Sequence, residues 1–260
     1  MNTTTPKTKY IGKCIYCGST DNLTREHVVP RGLGGPWLLL KASCKRCAKI
    51  TSEFEREVLR EFFLLVRTKL DLPTYNPKNK PDSFSFKVKV DGQEKDVEVP
   101  ASDAPTLFMM PLFKEPGHIR KNAQESGILV SGVSLHGKEN EMREFQAKYN
   151  IESISYTERL RTSFARVLAK IAYGMTVLRY GLNMIEEAYV LPYIIDNKGG
   201  IGQWVGCEAP HKSPSLLPKE KFFHRIENLE KNNEAGVRIR LFASYQTPEH
   251  LVIVGRLKEH

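Results

Sequence analysis

Residues 14–47 read CIYCGSTDNLTREHVVPRGLGGPWLLLKASCKRC. Two C-x2-C pairs, Cys14 with Cys17 and Cys44 with Cys47, bracket 26 residues. A tight turn can place each pair of thiolates about one metal ion, and two such turns complete a closed tetrahedral site. Zinc suits four soft thiolates and needs no redox role. Gly18 follows the first pair, where the turn asks for a positive φ. A redox C-x2-C motif would need only one pair in a βαβ setting, which is not seen. The metal is therefore expected to hold the fold and to do no chemistry.

Between the cysteines, Leu23-Thr24-Arg25 reads as a short strand ending in Glu26-His27. Gly32, Gly34 and Gly35 open a loop, and Trp37 to Leu40 reads as a returning strand. A helix follows over 49–70, with Phe54, Val58, Leu59, Phe62, Leu65 and Val66 at three- and four-residue steps. The order strand, loop, strand, helix places an acid and a histidine at a strand end beside a helix. That pair suits metal-assisted phosphodiester cleavage: a carboxylate holds a hard cation and an imidazole takes a proton from water.

In combination, C-x2-C, then LTREHVVPRGLGG, then A-S-C-x2-C and a helix beginning TSEFE resemble the HNH endonuclease family, in its four-cysteine zinc-braced variant. The resemblance covers residues 10 to about 60, about a fifth of the chain. It implies a ββα-metal fold that cuts DNA strands with one divalent ion, Mg²⁺ or Mn²⁺. It places His27 as general base and Glu26 as the first metal-binding acid, where Asp is more usual. One departure stands out. Family members commonly carry Asn or His directly after the last cysteine as the second metal ligand, and here the residue is Ala48. Ser52 and Glu55 share its helical face and are the candidate replacements, whereas Glu53 points elsewhere. The alternative is a catalytically degenerate, zinc-braced module that binds DNA or RNA without cutting it.

Charge agrees with a polyanionic partner. The chain has 260 residues and a formal charge of +9. Residues 1–50 hold nine basic and two acidic side chains, a net +7 that falls to +5 with four thiolates and one zinc. A cationic module on a nearly neutral body fits nucleic acid. Arg31, Lys41, Lys45, Arg46 and Lys49 are the candidate phosphate contacts. Tyr16 and Trp37 are expected to pack against the cysteine turns. No apolar run approaches the length of a membrane span, and the N-terminus lacks a secretory h-region, so a reducing, cytoplasmic setting is expected.

The expected fold class is α+β: a flexible start over 1–9, a zinc-braced nuclease-type domain over 10–70, a proline-rich linker over 71–83, and an α+β accessory domain over 84–260. In the last, 84–99 reads as a hairpin about Asp91-Gly92, 105–113 and 127–135 as strands, and 236–257 as a strand pair turning near Thr247-Pro248. Residues 157–180 read as a helix with a buried stripe of Leu160, Phe164, Val167, Leu168, Ile171, Met175 and Leu178, capped by Thr157 with Glu158 in the first turn. Arg159, Arg166 and Lys170 share another face, expected to be exposed. The remaining histidines, at 118, 136, 211, 224, 250 and 260, show no ligand spacing, and Cys207 reads as an idle thiol.

Overall fold

The structure, a computed structural model, describes residues 7–74, 80–121, 127–155, 161–207 and 223–259. Thr157, Glu158, Arg159, Leu160, His211 and His260 lie outside them.

The fold is α+β, a mixture of helix and strand. The chain opens with β1 (Thr8–Tyr10), β2 (Leu23–His27) and β3 (Leu38–Cys44), in sheet order β1-β3-β2. β2 and β3 run antiparallel, and β1 lies parallel to the other edge of β3. The end of 1–9, expected to be a flexible start, thus enters a strand at Thr8 and Lys9: Lys9 faces Leu39, and Tyr10 faces Leu40. Helix α1 (Lys45–Glu57) follows directly, four residues earlier than the apolar spacing suggested. Its buried Cys47, Thr51 and Phe54 recur at helical steps. A single π-type turn, Val58–Phe62, then leads to α2 (Leu64–Lys69). The extra residue of that turn lets adjacent Phe62 and Phe63 both reach Phe164, at 4.9 and 5.9 Å between ring centres.

Beyond the proline-rich stretch, β4 (Ser83–Val90) and β5 (Gln93–Pro100) form the expected hairpin. Asp91 and Gly92 take φ of 52° and 75°, the left-handed pair that a two-residue hairpin turn requires. β6 (Leu107–Phe113) pairs with β7 (Val130–Gly137), with a short α3 (Gly117–Arg120) between them. α4 (Glu139–Tyr149) and β8 (Ser153–Ile154) close a small core on the hairpin, around Phe86, Val88, Val99 and Phe145. Then come α5 (Arg161–Tyr180), β9 (Ile185–Ala188), α6 (Leu191–Ile195), β10 (Val205–Cys207), β11 (His224–Lys231), β12 (Glu234–Leu241) and β13 (His250–Leu257). The last four strands are ordered β10-β13-β12-β11, with β9 on β13.

α5 decides the architecture. Apart from Arg166, its side chains from Phe164 to Leu178 are buried on every face, not along one stripe. One side carries the antiparallel sheet, and the other carries the N-terminal zinc-braced segment. A single apolar cluster therefore runs from Cys14, Val28, Leu39 and Phe54 through α5 to Val237 and Val252. Residues on the two sides of 71–83 share one core. Gly174 makes the approach possible, since a Cβ there would lie 3.1 Å from a methyl of Val28. Among the described residues no helix is long and apolar enough to cross a membrane.

Two histidines stitch the layers as neutral rings. His224 donates from Nε2 to the Leu33 carbonyl at 2.7 Å and accepts from the Phe242 amide at Nδ1, tying the glycine loop to the sheet. His250 donates to the Pro111 carbonyl. Burial lowers both to a pKa of about 4. The unfolded chain takes up these protons near pH 6.5 and the folded chain does not, so stability falls as pH drops from 6.5 towards 4. The unfolding free energy from urea melts is expected to fall between pH 7 and pH 5, by on the order of 1–2 kcal/mol for each ring. His250→Gln should flatten that slope, and an unchanged slope would count against the assignment.

Candidate functional site

The four cysteines converge. Their sulfurs all lie within 4.8 Å of one another, and Cys17 Sγ and Cys44 Sγ are 3.6 Å apart. A tetrahedral zinc with bonds of about 2.3 Å needs sulfurs about 3.8 Å apart, so the donor set fits that ion. Two local devices build it. The first turn is closed by the Gly18 amide donating to the Cys14 carbonyl, with Gly18 at φ 76°. The second pair opens α1, where Cys44 is the N-cap and the backbone amide of Cys47 acts on its sulfur. That contact brings Cys44 down to about 7, close to the thiolate a metal requires.

Glu26 and His27 end β2, but they do not share a direction. Successive strand residues point to opposite faces. Arg25 is exposed, Glu26 is buried at 6% exposure, and His27 is half-buried. A register shift in β3 between Leu39 and Ser43, with Lys41 at φ 49°, sets this phase.

Inward, Glu26 meets Lys170 of α5. The ammonium lies 2.7 Å from Glu26 Oε1 and 2.7 Å from Glu55 Oε1, and it donates to the carbonyls of His27 and Val28. Lys170 is 1% exposed. Burial alone would discharge it, but the two carboxylates outweigh burial and hold its pKa above the usual lysine value. Burial and the Glu26 charge push the Glu55 carboxyl upward, against the pull of Lys170. Two neighbouring side chains of α5 extend this contact. Tyr173 donates to the Ile15 carbonyl at 2.6 Å, and Arg166 stacks over Phe54 at 4.3 Å while donating to Ile194 O. The expected exposed face of Arg166 and Lys170 is thus the docking face. Its signal in the sequence is Lys170 as the single charge in the stretch between Arg166 and Arg179.

These facts bear on the second metal. Ala48 offers only a methyl group, Ser52 donates its hydroxyl to the Lys49 carbonyl, and Glu55 and Glu26 are bound to Lys170. Among the described residues the four cysteines are the one cluster of three or more His, Cys, Asp or Glu donors placed to hold an ion. Glu26, Ser52 and Glu55, expected to seat Mg²⁺ or Mn²⁺, therefore do not fit that role as they stand.

Outward, His27 keeps a neutral imidazole. Burial lowers its pKa first, then the positive charges of Lys170 and Arg25, with Arg31 adding to them and Glu26 opposing. Arg31, Lys41, Lys45, Arg46 and Lys49 are all exposed. Tyr16 is buried against Tyr173, and Trp37 is half-buried against the core, as expected of packing residues. Arg67, which the sequence did not single out, braces the glycine loop by donating to the carbonyls of Gly32 and Leu59, each at 2.9 Å.

Because the zinc turns also carry Ile15 and Tyr16 into the shared core, Cys14→Ser should do more than loosen one loop. Zinc content is expected to fall below one per chain, and the Tm by roughly 6–12 °C, for a loss of about 3 kcal/mol. Full zinc with an unchanged melting curve would refute the site. Against known proteins, no curated protein and no solved structure matches this chain. Residues 14–63 match the model of the HNH endonuclease family, and with its cysteine cluster the segment is a nuclease-type HNH domain.

Proposed function

We propose that this protein acts on nucleic acid, DNA first, as an HNH-type endonuclease with His27 as the general base. The observation that supports it best is the imidazole itself. It is half-exposed at a strand end, kept neutral by its surroundings, and lies in the field of the exposed Arg25 and Arg31. A neutral imidazole can accept a proton from a water that attacks phosphorus, while the P–O bond to the leaving strand breaks and its oxygen takes a proton from solvent. Arg25 and Arg31 are exposed cations acting on the ring, and they would meet the charge that then develops on the phosphate. Lys41, Lys45, Arg46 and Lys49 would hold the flanking backbone without reading bases, so sequence preference from this domain alone is slight. The cysteines would hold zinc, which keeps β2, β3 and α1 in place and takes no part in the reaction. Five unpaired cysteines suit a reducing, cytoplasmic setting.

A second reading is a module that binds nucleic acid without cutting it. The specific observation in its favour is the engagement of Glu26 and Glu55 by Lys170, together with Ala48.

Supercoiled plasmid separates the two. Wild type is expected to nick it, and His27→Ala to lose at least 100-fold of the rate with its fold and zinc intact. No nicking under Mg²⁺, Mn²⁺ or EDTA, with gel shifts that weaken steeply between 50 and 200 mM salt (a range in which phosphate contacts lose affinity by orders of magnitude), would establish the second reading. Neither nicking nor shifting would overturn both.

A further inference from the structure

The oxygens around Lys170 form a set that normally serves a metal. Two carboxylates and two backbone carbonyls, from Glu26, Glu55, His27 and Val28, face one point between β2, α1 and α5. Hard divalent cations take such oxygens. The residues come from the strand and helix that carry the family resemblance, yet the charge at their centre belongs to a helix more than a hundred residues further along the chain. We infer that the ammonium of Lys170 is the resident cation of the Glu26–Glu55 site and stands in place of a divalent ion.

The geometry supports this over an ordinary ion pair on three counts. The ammonium has three N–H groups and four oxygens about it, so every donor is engaged. Lys170 is itself 1% exposed, in a stretch where Leu168, Ala169 and Ile171 are fully buried, so its stem does not lie on a surface from which it could swing away. Ala48, directly after the last cysteine, carries only a methyl group and so supplies no competing ligand. A buried ammonium among paired carboxylates is retained only while both signs are present, because removal of either leaves an uncompensated charge. The inference concerns which cation occupies the site. It holds whether His27 cuts or only binds, so its failure and the failure of the nuclease reading are told apart by different measurements.

The test is direct metal binding to the full, zinc-loaded chain, read by Mn²⁺ electron paramagnetic resonance, with zinc content checked at each step. In wild type, Glu26→Gln and Glu55→Gln are expected to leave Mn²⁺ binding unchanged within twofold. Lys170→Ala removes the ammonium and leaves the four oxygens. It is expected to gain one Mn²⁺ per chain, bound at least tenfold more tightly than any wild-type site, and to recover lost thermal stability when Mn²⁺ or Mg²⁺ is added. Lys170→Ala with Glu26→Gln should lose both gains. Mn²⁺ binding to wild type that Glu26→Gln abolishes would overturn the inference. So would a folded Lys170→Ala that gains no ion, or one that fails to fold with and without Mn²⁺, since a true metal seat would be rescued.

Discussion

An ammonium can stay charged inside a protein only if anions and dipoles replace the water it has lost. Lys170 meets that condition because two distant pieces of chain converge on it: Glu26 at the end of β2 and Glu55 in the third turn of α1. The converse also holds. Neither carboxylate could be buried between the zinc-braced segment and α5 without the cation. One contact therefore fixes the angle of the hairpin, the position of the helix and the line of α5 together. Tyr173, one turn further on, then finds the Ile15 carbonyl, and Gly174 admits Val28.

That contact explains why a segment this short is stable. Fifty residues enclose little apolar surface, and a metal or a partner surface usually makes up the shortfall. Here both are present. The cysteine frame holds the turns, while α5 supplies the apolar wall on which Val28, Phe54 and Phe63 are buried. α5 is covered in turn by the antiparallel sheet on its other side, which is why it is apolar nearly all round. The zinc-braced segment and the C-terminal elements are thus two halves of one packing problem.

How much of this the sequence disclosed follows from the range of the forces involved. Local rules were legible. The cysteine spacing marked the sulfur cluster, Asp91-Gly92 marked a hairpin, and the apolar steps of 49–70 and 157–180 marked helices. What depended on distant partners was not. β1 is three residues that become a strand only because the edge of β3 lies open to them. β10 and β11 have no pattern of their own and are strands by virtue of their neighbours β13 and β12. Lys170 reads as solvent-facing by its chemistry, and Glu26 and Glu55, 144 and 115 positions earlier, make it an interior residue. Glu55 stands out in the sequence by its place on the helix face alone, because its partner Lys170 lies 115 positions further along the chain.

The alternation of a strand has a consequence for chemistry as well as packing. Glu26 and His27 are adjacent in sequence and so face opposite sides of the hairpin. In this protein the acid turns inward to a buried cation and the imidazole turns towards exposed arginines. The two residues that the sequence suggests as one catalytic pair are thereby divided between stability and surface. They are still not independent. The carbonyl of His27 accepts from the same ammonium that Glu26 binds, so the strand end is held from within while its side chain meets solvent. The positive charge beneath it is also one of the causes that keep the ring unprotonated. A buried cation thus helps to place the strand end and, after burial itself, to keep its imidazole neutral.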